Sequence, residues 1–394
     1  MRDIDVEIRG DSLSGKRILF GISGGIAAVD SVRCVRELRR HGAEVTVCMT
    51  DSAQRIITPL ALKWATGKQP ITNWEGEMSQ LSDFDGVLVS PATRNLLSSH
   101  LNGLMSSPLL MALSAARGRK VPILLIPSMH ADLFDELITT EIVSKLRKQG
   151  AIIQWSEGEE GKIKTLDHRQ IVADLAHHIN SQSPSRKSAV ITLGATRSSI
   201  DDVRFIQNTS SGKTGWGIAV DLYRNGHDVT VVCGSTSIIP EISLPLVIVA
   251  EDPNLMLLEL KTLAKDQIDA WVHCAAVLDY VVGNPIEGKI ASLQTGLNLQ
   301  LVQGEKHIRE LSTLTNGATR VGFKLECGIK IHDLVHRALA LIENSQLTAV
   351  IANRLEDIDD ESKPRAHLVD ATGEHWALQD HSDLVSAVRH LVEN

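Results

Sequence analysis

Two runs of one pattern, separated by a polar break, constrain this 394-residue chain more than any other feature of its sequence. Short β-branched stretches alternate with longer amphipathic ones, first at residues 17–22 (RILFGI), 44–49 (EVTVCM), 86–90 (GVLVS) and 121–126 (VPILLI). Helical spacing lies between them, at residues 29–41 and 131–148. Residues 181–188 (SQSPSRKS) lose the periodicity and carry a proline, which reads as a linker. The alternation restarts at residues 188–194, 227–234, 244–250 and 270–276, and continues at 320–325 and 348–353. Helical segments are expected at 213–224 and 331–344, and residues 365–370 and 374–378 read as a hairpin turning at Ala371-Thr372-Gly373. Such a chain is α/β: two doubly wound, mostly parallel sheets, each binding ligands at the carboxyl ends of its strands. The expected layout is an N-terminal tail (1–16), a first domain (17–180), a linker (181–188) and a second domain (189–394).

Composition narrows the choice of function. Aromatic residues are only 3%, so the cores must be built from Ala, Val, Ile and Leu. A net charge of −8 with no basic stripe argues against a nucleic-acid platform. The five cysteines are widely spaced with no CxxC pair, which argues against a disulfide framework or structural zinc and for a reducing, cytoplasmic compartment. The most apolar stretch, residues 109–127, is broken by RGRK and too short to cross a bilayer. The first sixteen residues are polar, unlike a signal peptide or an anchor. Small molecules are the expected partners, with neither nucleic acid nor membrane.

Two segments carry chemistry. After the first strand comes Gly21-Ile22-Ser23-Gly24-Gly25-Ile26-Ala27-Ala28, where glycines let the backbone approach an anion at a helix start. In the second half Val203-Arg204-Phe205-Ile206-Gln207-Asn208-Thr209-Ser210-Ser211-Gly212-Lys213-Thr214-Gly215 gathers hydroxyls and amides ahead of an amphipathic segment. Its GKT ending suggests a P-loop, but the position of the first P-loop glycine is Gln207. A P-loop NTPase is rejected on that spacing.

With MTDSAQRIITPL (residues 49–60) and SPATRN (90–95), the first segment resembles the FMN-binding cysteine decarboxylases. The second matches, as VRxIxNxSSGKxG, the phosphopantothenate–cysteine ligases. Nearly the whole chain therefore resembles the bifunctional decarboxylase/ligase family of coenzyme A synthesis. The resemblance implies a flavodoxin-like flavoprotein domain followed by a Rossmann-like ligase domain. Ser23, Gly24 and Gly25 would face the FMN phosphate, with Thr50, Thr93 and Asn95 near the flavin. In the ligase half, Ser210, Ser211, Gly212 and Lys213 would surround the substrate phosphate, and Gly194, Ala275, Asp279 and Phe323 would contact CTP or ATP. Asn208 would hold the acyl-nucleotide, Lys289 would neutralise developing charge, and Asp279 would hold the nucleotide or its Mg²⁺. The family's oligomers imply a homo-oligomer.

Decarboxylation carries over less well. The base histidine expected before the SPAT strand is absent from residues 74–85, and the PxMN clamp reads Pro127-Ser128-Met129-His130. The expected flap, residues 155–164, has no cysteine. A carboxylate such as Glu77 titrates about two units below imidazole and is no simple substitute. His130 is either a recruited base or a histidine satisfied locally at a helix start. The favoured expectation is thus a ligase with an inactive decarboxylase half. Two rivals are a ligase for a different acid and amino acid, and a non-catalytic regulatory subunit.

Overall fold

The computed structural model describes residues 4–74, 76–155, 166–291 and 296–394, which form two compact units, 1–182 and 183–394. In the first, β1 (Arg17–Ile22), β2 (Glu44–Met49), β3 (Gly86–Ala92), β4 (Ile123–Pro127) and β5 (Ile152–Ile153) make a wholly parallel sheet in the order β2-β1-β3-β4-β5. This is the flavodoxin-like order, whose crevice opens between β1 and β3.

Strand alternation explains why both faces are apolar. Ile18, Phe20 and Ile22 enter one core with the helices Ser31–Arg40, Pro59–Thr66 and His168–Asn180. Leu19, Val87, Val89 and Leu125 enter the other, against Arg94–Leu101, Pro108–Gly118 and Leu137–Lys148.

The second unit contains β6 (Ser188–Leu193), β7 (Arg197–Ser199), β8 (Phe205–Gln207), β9 (Asp228–Cys233), β10 (Val247–Val249) and β11 (Ala270–His273). It continues with β12 (Tyr280–Val282), β13 (Leu301–Gln303), β14 (Thr319–Glu326), β15 (Ala349–Arg354), β16 (Ala366–Asp370) and β17 (His375–Leu378). The main sheet runs β10-β9-β6-β11-β14-β15-β16-β17, parallel through β15 and antiparallel at the final hairpin. Counted from β6, its parallel part has the Rossmann order, with the chain reversing direction across the sheet between β6 and β11. β7 pairs with β8 and β12 with β13 as two small antiparallel ribbons beyond those strand ends.

Several boundaries differ from the sequence expectation. The segment read as a tail packs onto the first unit: Leu13 is fully buried, its amide donates to the His41 carbonyl, and Arg39 donates to the Ile4 carbonyl. The first helix is preceded by a 3₁₀ turn, Ile26–Asp30, and begins at Ser31. The single helix expected over residues 131–148 is two, Ala131–Phe134 and Leu137–Lys148, with Glu136 capping the second. Ser188, placed in the linker, is the first residue of β6, held by Asp269 accepting from its amide and hydroxyl. No helix among the described residues is long and apolar enough to cross a membrane.

Gly215 shows how closely helix Lys213–Arg224 lies on β6: a Cβ there would fall 2.3 Å from the Cβ of Leu193. Gly215→Ala should therefore lower the unfolding free energy by about 1–3 kcal/mol, measured by denaturant titration of the full chain.

Candidate functional site

The first crevice forms where β1, β2 and β3 end. Ser23 is buried; its hydroxyl donates to the Pro91 carbonyl at 2.8 Å and accepts from the Thr93 amide at 2.8 Å. The Thr93 hydroxyl lies 3.2 Å from that of Ser23 and caps Arg94–Leu101 by accepting from the Leu96 amide. Thr50 caps Asp51–Gln54 and lies 3.1 Å from the Ser52 hydroxyl. A Cβ on Gly24 would fall 2.4 Å from Ser52, and one on Gly25 would press on Pro91 at 3.3 Å. Ser23, Gly24, Gly25, Thr50 and Thr93 thus share one crevice, with Asn95 exposed on the first turn of the following helix. Tight glycines beside hydroxyls and a helix start fit a phosphate-bearing flavin.

His130 is exposed and caps Ala131–Phe134; its Nδ1 accepts from the Asp132 amide and faces the Asp132 carboxylate at 3.1 Å. This is the local engagement at a helix start that one of the two readings expects. Glu75 and most of the expected flap, residues 156–165, lie outside the described residues.

In the second unit the segment leaving β6 is stitched to both neighbours. Ala195 exchanges backbone bonds with Ser235 at 2.8 Å in each direction, and Ala276 donates to Gly194 at 2.8 Å. Gly194 has φ +76, and a Cβ there would meet the Ser235 oxygen at 2.7 Å, so only glycine suits this turn. Gly212, at φ +79, packs on the same Thr236 methyl and precedes helix Lys213–Arg224. The Ser210 and Ser211 hydroxyls accept from the Gly212 and Lys213 amides at 3.4 and 3.3 Å, forming a small cradle at that helix start.

Asn208 joins this cradle to the end of β11. Its Nδ2 donates to the carbonyls of Val277 and Ala276 at 3.1 and 3.4 Å. On the β11 side opens a cavity of about 510 Å³ at the ends of β6, β11 and β14, flanked by helices Pro253–Leu263 and Ile331–Ser345. Ala275, Asp279 and Phe323 line it; Gly194, Asn208, the serines and Lys289 do not. Lys289 is exposed, on a loop anchored by its neighbours. Gly288 donates to Asp202 at 3.0 Å, and Ile290 to Asp201 at 3.1 Å. Ser292, which follows in the same loop, lies outside the described residues.

The cavity also holds charges the sequence reading passed over. Lys306 pairs with the Asp279 carboxylate. Lys324 and Arg337 both reach Glu326, at 3.0 and 2.5 Å. Lys324 and Glu326 were readable beside Phe323 in the FKLE run, whereas Lys306 and Arg337 have no local signal and arrive by folding. Arg197 is a further positioning residue: it donates to Gln207, Glu251 and Ser235 at 2.6, 2.8 and 2.5 Å, tying down the ribbon that ends at Asn208. Among the described residues no group of three or more His, Cys, Asp or Glu is placed to hold a metal. Asp279, the carboxylate expected to hold the nucleotide or its Mg²⁺, is paired with Lys306 as folded.

One unit thus has a flavin-type crevice and the other a nucleotide-scale cavity beside an anion cradle. A family model described as DNA/pantothenate metabolism flavoprotein C-terminal domain matches residues 185–393, and one described as Flavoprotein matches residues 7–180. The chain is 34% identical over 351 residues to the coenzyme A biosynthesis bifunctional protein CoaBC of Thermococcus kodakarensis, covering 87% of this chain and 86% of that one. It is 31% identical over 349 residues to the protein of the same name from Methanocaldococcus jannaschii, covering 87% and 84%. A solved DNA/pantothenate metabolism flavoprotein from Streptococcus pneumoniae is 22% identical, with a TM-score of 0.47 over 52% of this chain and 97% of that one. The chain belongs to the coenzyme A biosynthesis bifunctional CoaBC family.

Asp201 pins the Lys289 loop. Burial alone would raise its pKa, but bonds from the Ile290, Val203 and Arg204 amides and the Arg204 guanidinium hold it down to about 2, below its ordinary 3.8. A carboxyl depressed on folding adds stability that is complete above the unfolded pKa and disappears as pH falls through the folded one. The stability difference between the wild type and Asp201→Asn should therefore shrink as pH is lowered from about 4 towards 2, read by denaturant unfolding at each pH.

Proposed function

We propose that the second unit, residues 189–394, is a nucleotide-dependent ligase that joins phosphopantothenate to cysteine, and that the first, residues 17–180, binds FMN without decarboxylating. The observation that carries the ligase reading is Asn208, hydrogen-bonded across from the serine cradle to the carbonyls flanking the cation-rich cavity. An anion bound at Ser210–Lys213 and a nucleotide bound in the cavity would meet at that side chain.

The chemistry follows from what a carboxylate lacks. It is a poor acceptor for an amine, so its oxygen first attacks the α-phosphorus of CTP or ATP, forming an acyl-nucleotide while the bond to pyrophosphate breaks. The cysteine amine then attacks the acyl carbon, the bond to the nucleotide oxygen breaks, and amide and nucleoside monophosphate leave. Lys306, Lys324 and Arg337 screen the charge gathered on the phosphates, Lys289 reaches in from its anchored loop, and Asn208 donates to the intermediate. Mg²⁺ arrives on the nucleotide's phosphates rather than on the chain.

In the first unit, Ser23, Gly24 and Gly25 hold the FMN phosphate, with Thr50, Thr93 and Asn95 beside it. Bound there, FMN would supply two-electron oxidation. Three features speak against its use for decarboxylation: no histidine lies within residues 74–85, His130 stands in place of the clamp's asparagine, and the His130 Nδ1 is engaged by Asp132. The chain is proposed to act in the cytoplasm as a homo-oligomer.

Purified protein should be yellow and should release pyrophosphate over many turnovers only with phosphopantothenate and cysteine together, phosphopantothenate alone giving at most one equivalent per site. Asn208→Ala and Lys289→Ala should each lower kcat/KM by about 100-fold with the melting temperature kept. Pyrophosphate release that requires a different acid would sink the ligase reading. Carbon dioxide release from phosphopantothenoylcysteine would sink the second half of the proposal.

A further inference from the structure

The chain between β11 and β12 belongs to no strand, yet its carbonyls hold Asn208 and its side chains line the cavity. What fixes it comes from the segment leaving β6. Strand alternation puts Thr196 and Ser198 on the side of that segment away from Arg197. Both are buried, Thr196 completely. The Thr196 hydroxyl accepts from the Leu278 amide at 2.9 Å, and the Ser198 hydroxyl accepts from the Val282 amide at 2.9 Å. The Thr196 amide donates to the Ala276 carbonyl at 3.2 Å, the same oxygen that Asn208 reaches.

The bond to Leu278 matters most, because of where its other end leads. The Leu278 amide and the Val277 carbonyl belong to one peptide group, and a peptide group is a rigid plane. Thr196 holds that plane by its N–H, and Asn208 Nδ2 donates to its carbonyl oxygen at 3.1 Å. Turning the plane would move both atoms together. A buried amide left without an acceptor is costly, so loss of the Thr196 hydroxyl would drive the plane to rotate towards another partner. The Val277 oxygen would then swing away from Asn208.

We propose that Thr196 is a positioning residue for the ligase reaction: through the peptide between Val277 and Leu278 it aims the Asn208 side chain. Thr196 touches no substrate, and its whole effect on turnover passes through Asn208. This rests on the ligase reading of the second unit and adds a residue that sets its rate.

Steady-state pyrophosphate release by the full chain tests it. Thr196→Val replaces the hydroxyl by a methyl of nearly the same size and should lower kcat about tenfold, with KM for phosphopantothenate within about twofold of wild type. Thr196→Ser keeps the hydroxyl and should retain at least about half of kcat. In an Asn208→Ala background, Thr196→Val should cost no more than about twofold further, because the group it aims is already gone. Ser198→Ala removes a comparable hydroxyl from the same ribbon but not from this peptide, and should leave kcat within about twofold.

An unchanged kcat in Thr196→Val overturns the proposal, as does a tenfold loss that recurs in the Asn208→Ala background or is matched by Ser198→Ala. Should Thr196→Val fail to fold, Thr196→Cys takes its place, since a thiol is only a weak acceptor, and an unchanged kcat there is equally fatal. A wild type that releases no pyrophosphate sinks the ligase reading by itself. Amide hydrogen exchange then still separates the two: Thr196→Val must lose protection at Leu278 that Thr196→Ser keeps, and equal protection in both overturns the peptide clamp.

Discussion

The second unit depends on how the chain leaves β6. That strand lies where the parallel sheet reverses its winding, so the segment beyond it must run between the ends of β9 and β11 with strand partners on neither side. Ala195 resolves this by bonding to Ser235 on one side, while Gly194 accepts from Ala276 on the other. The turn requires a left-handed backbone pressed against the Ser235 oxygen, which is why glycine stands at 194. The serine cradle and Asn208 hang from that junction. The β7–β8 ribbon starts there, carries Asn208 at its exit and returns to helix Lys213–Arg224.

Electrostatics then divides the space around the junction. The cradle side has hydroxyls and amides but few formal charges. The cavity side has lysines and an arginine whose carboxylate partners, Asp279 and Glu326, hold them in place before any ligand arrives. Exposed pairs of this kind contribute little to stability. What they do is hold the three cations around one cavity. Asp201 performs the same service for the Lys289 loop through backbone bonds.

The first unit builds its crevice from backbone turns and capping hydroxyls. Its crevice keeps what a phosphate needs, because glycine turns and capping hydroxyls are built into the strand ends. His130 lies on the loop after β4, where a side chain can vary without disturbing the sheet. As a helix cap, His130 serves local structure.

Much was legible in the sequence because it is local. Apolar period and turn glycines determined two α/β units, most strands of both sheets and the glycine turn at Ser23 to Gly25, whereas Thr50, Thr93 and Asn95 came from the family resemblance alone. The boundaries that went astray are those set by packing. The segment before Arg17 is polar in sequence yet contributes the buried Leu13, and one apolar helical stretch at 131–148 breaks at a cap. Tertiary structure alone decided which charges share the cavity. Lys306 and Arg337 lie on different elements, and Arg197 acts across separate strands and loops, so no spacing rule brings them together. It also decided that the Thr196 hydroxyl meets the Leu278 amide: sequence gives the residue type, but only folding fixes which buried group a hydroxyl faces.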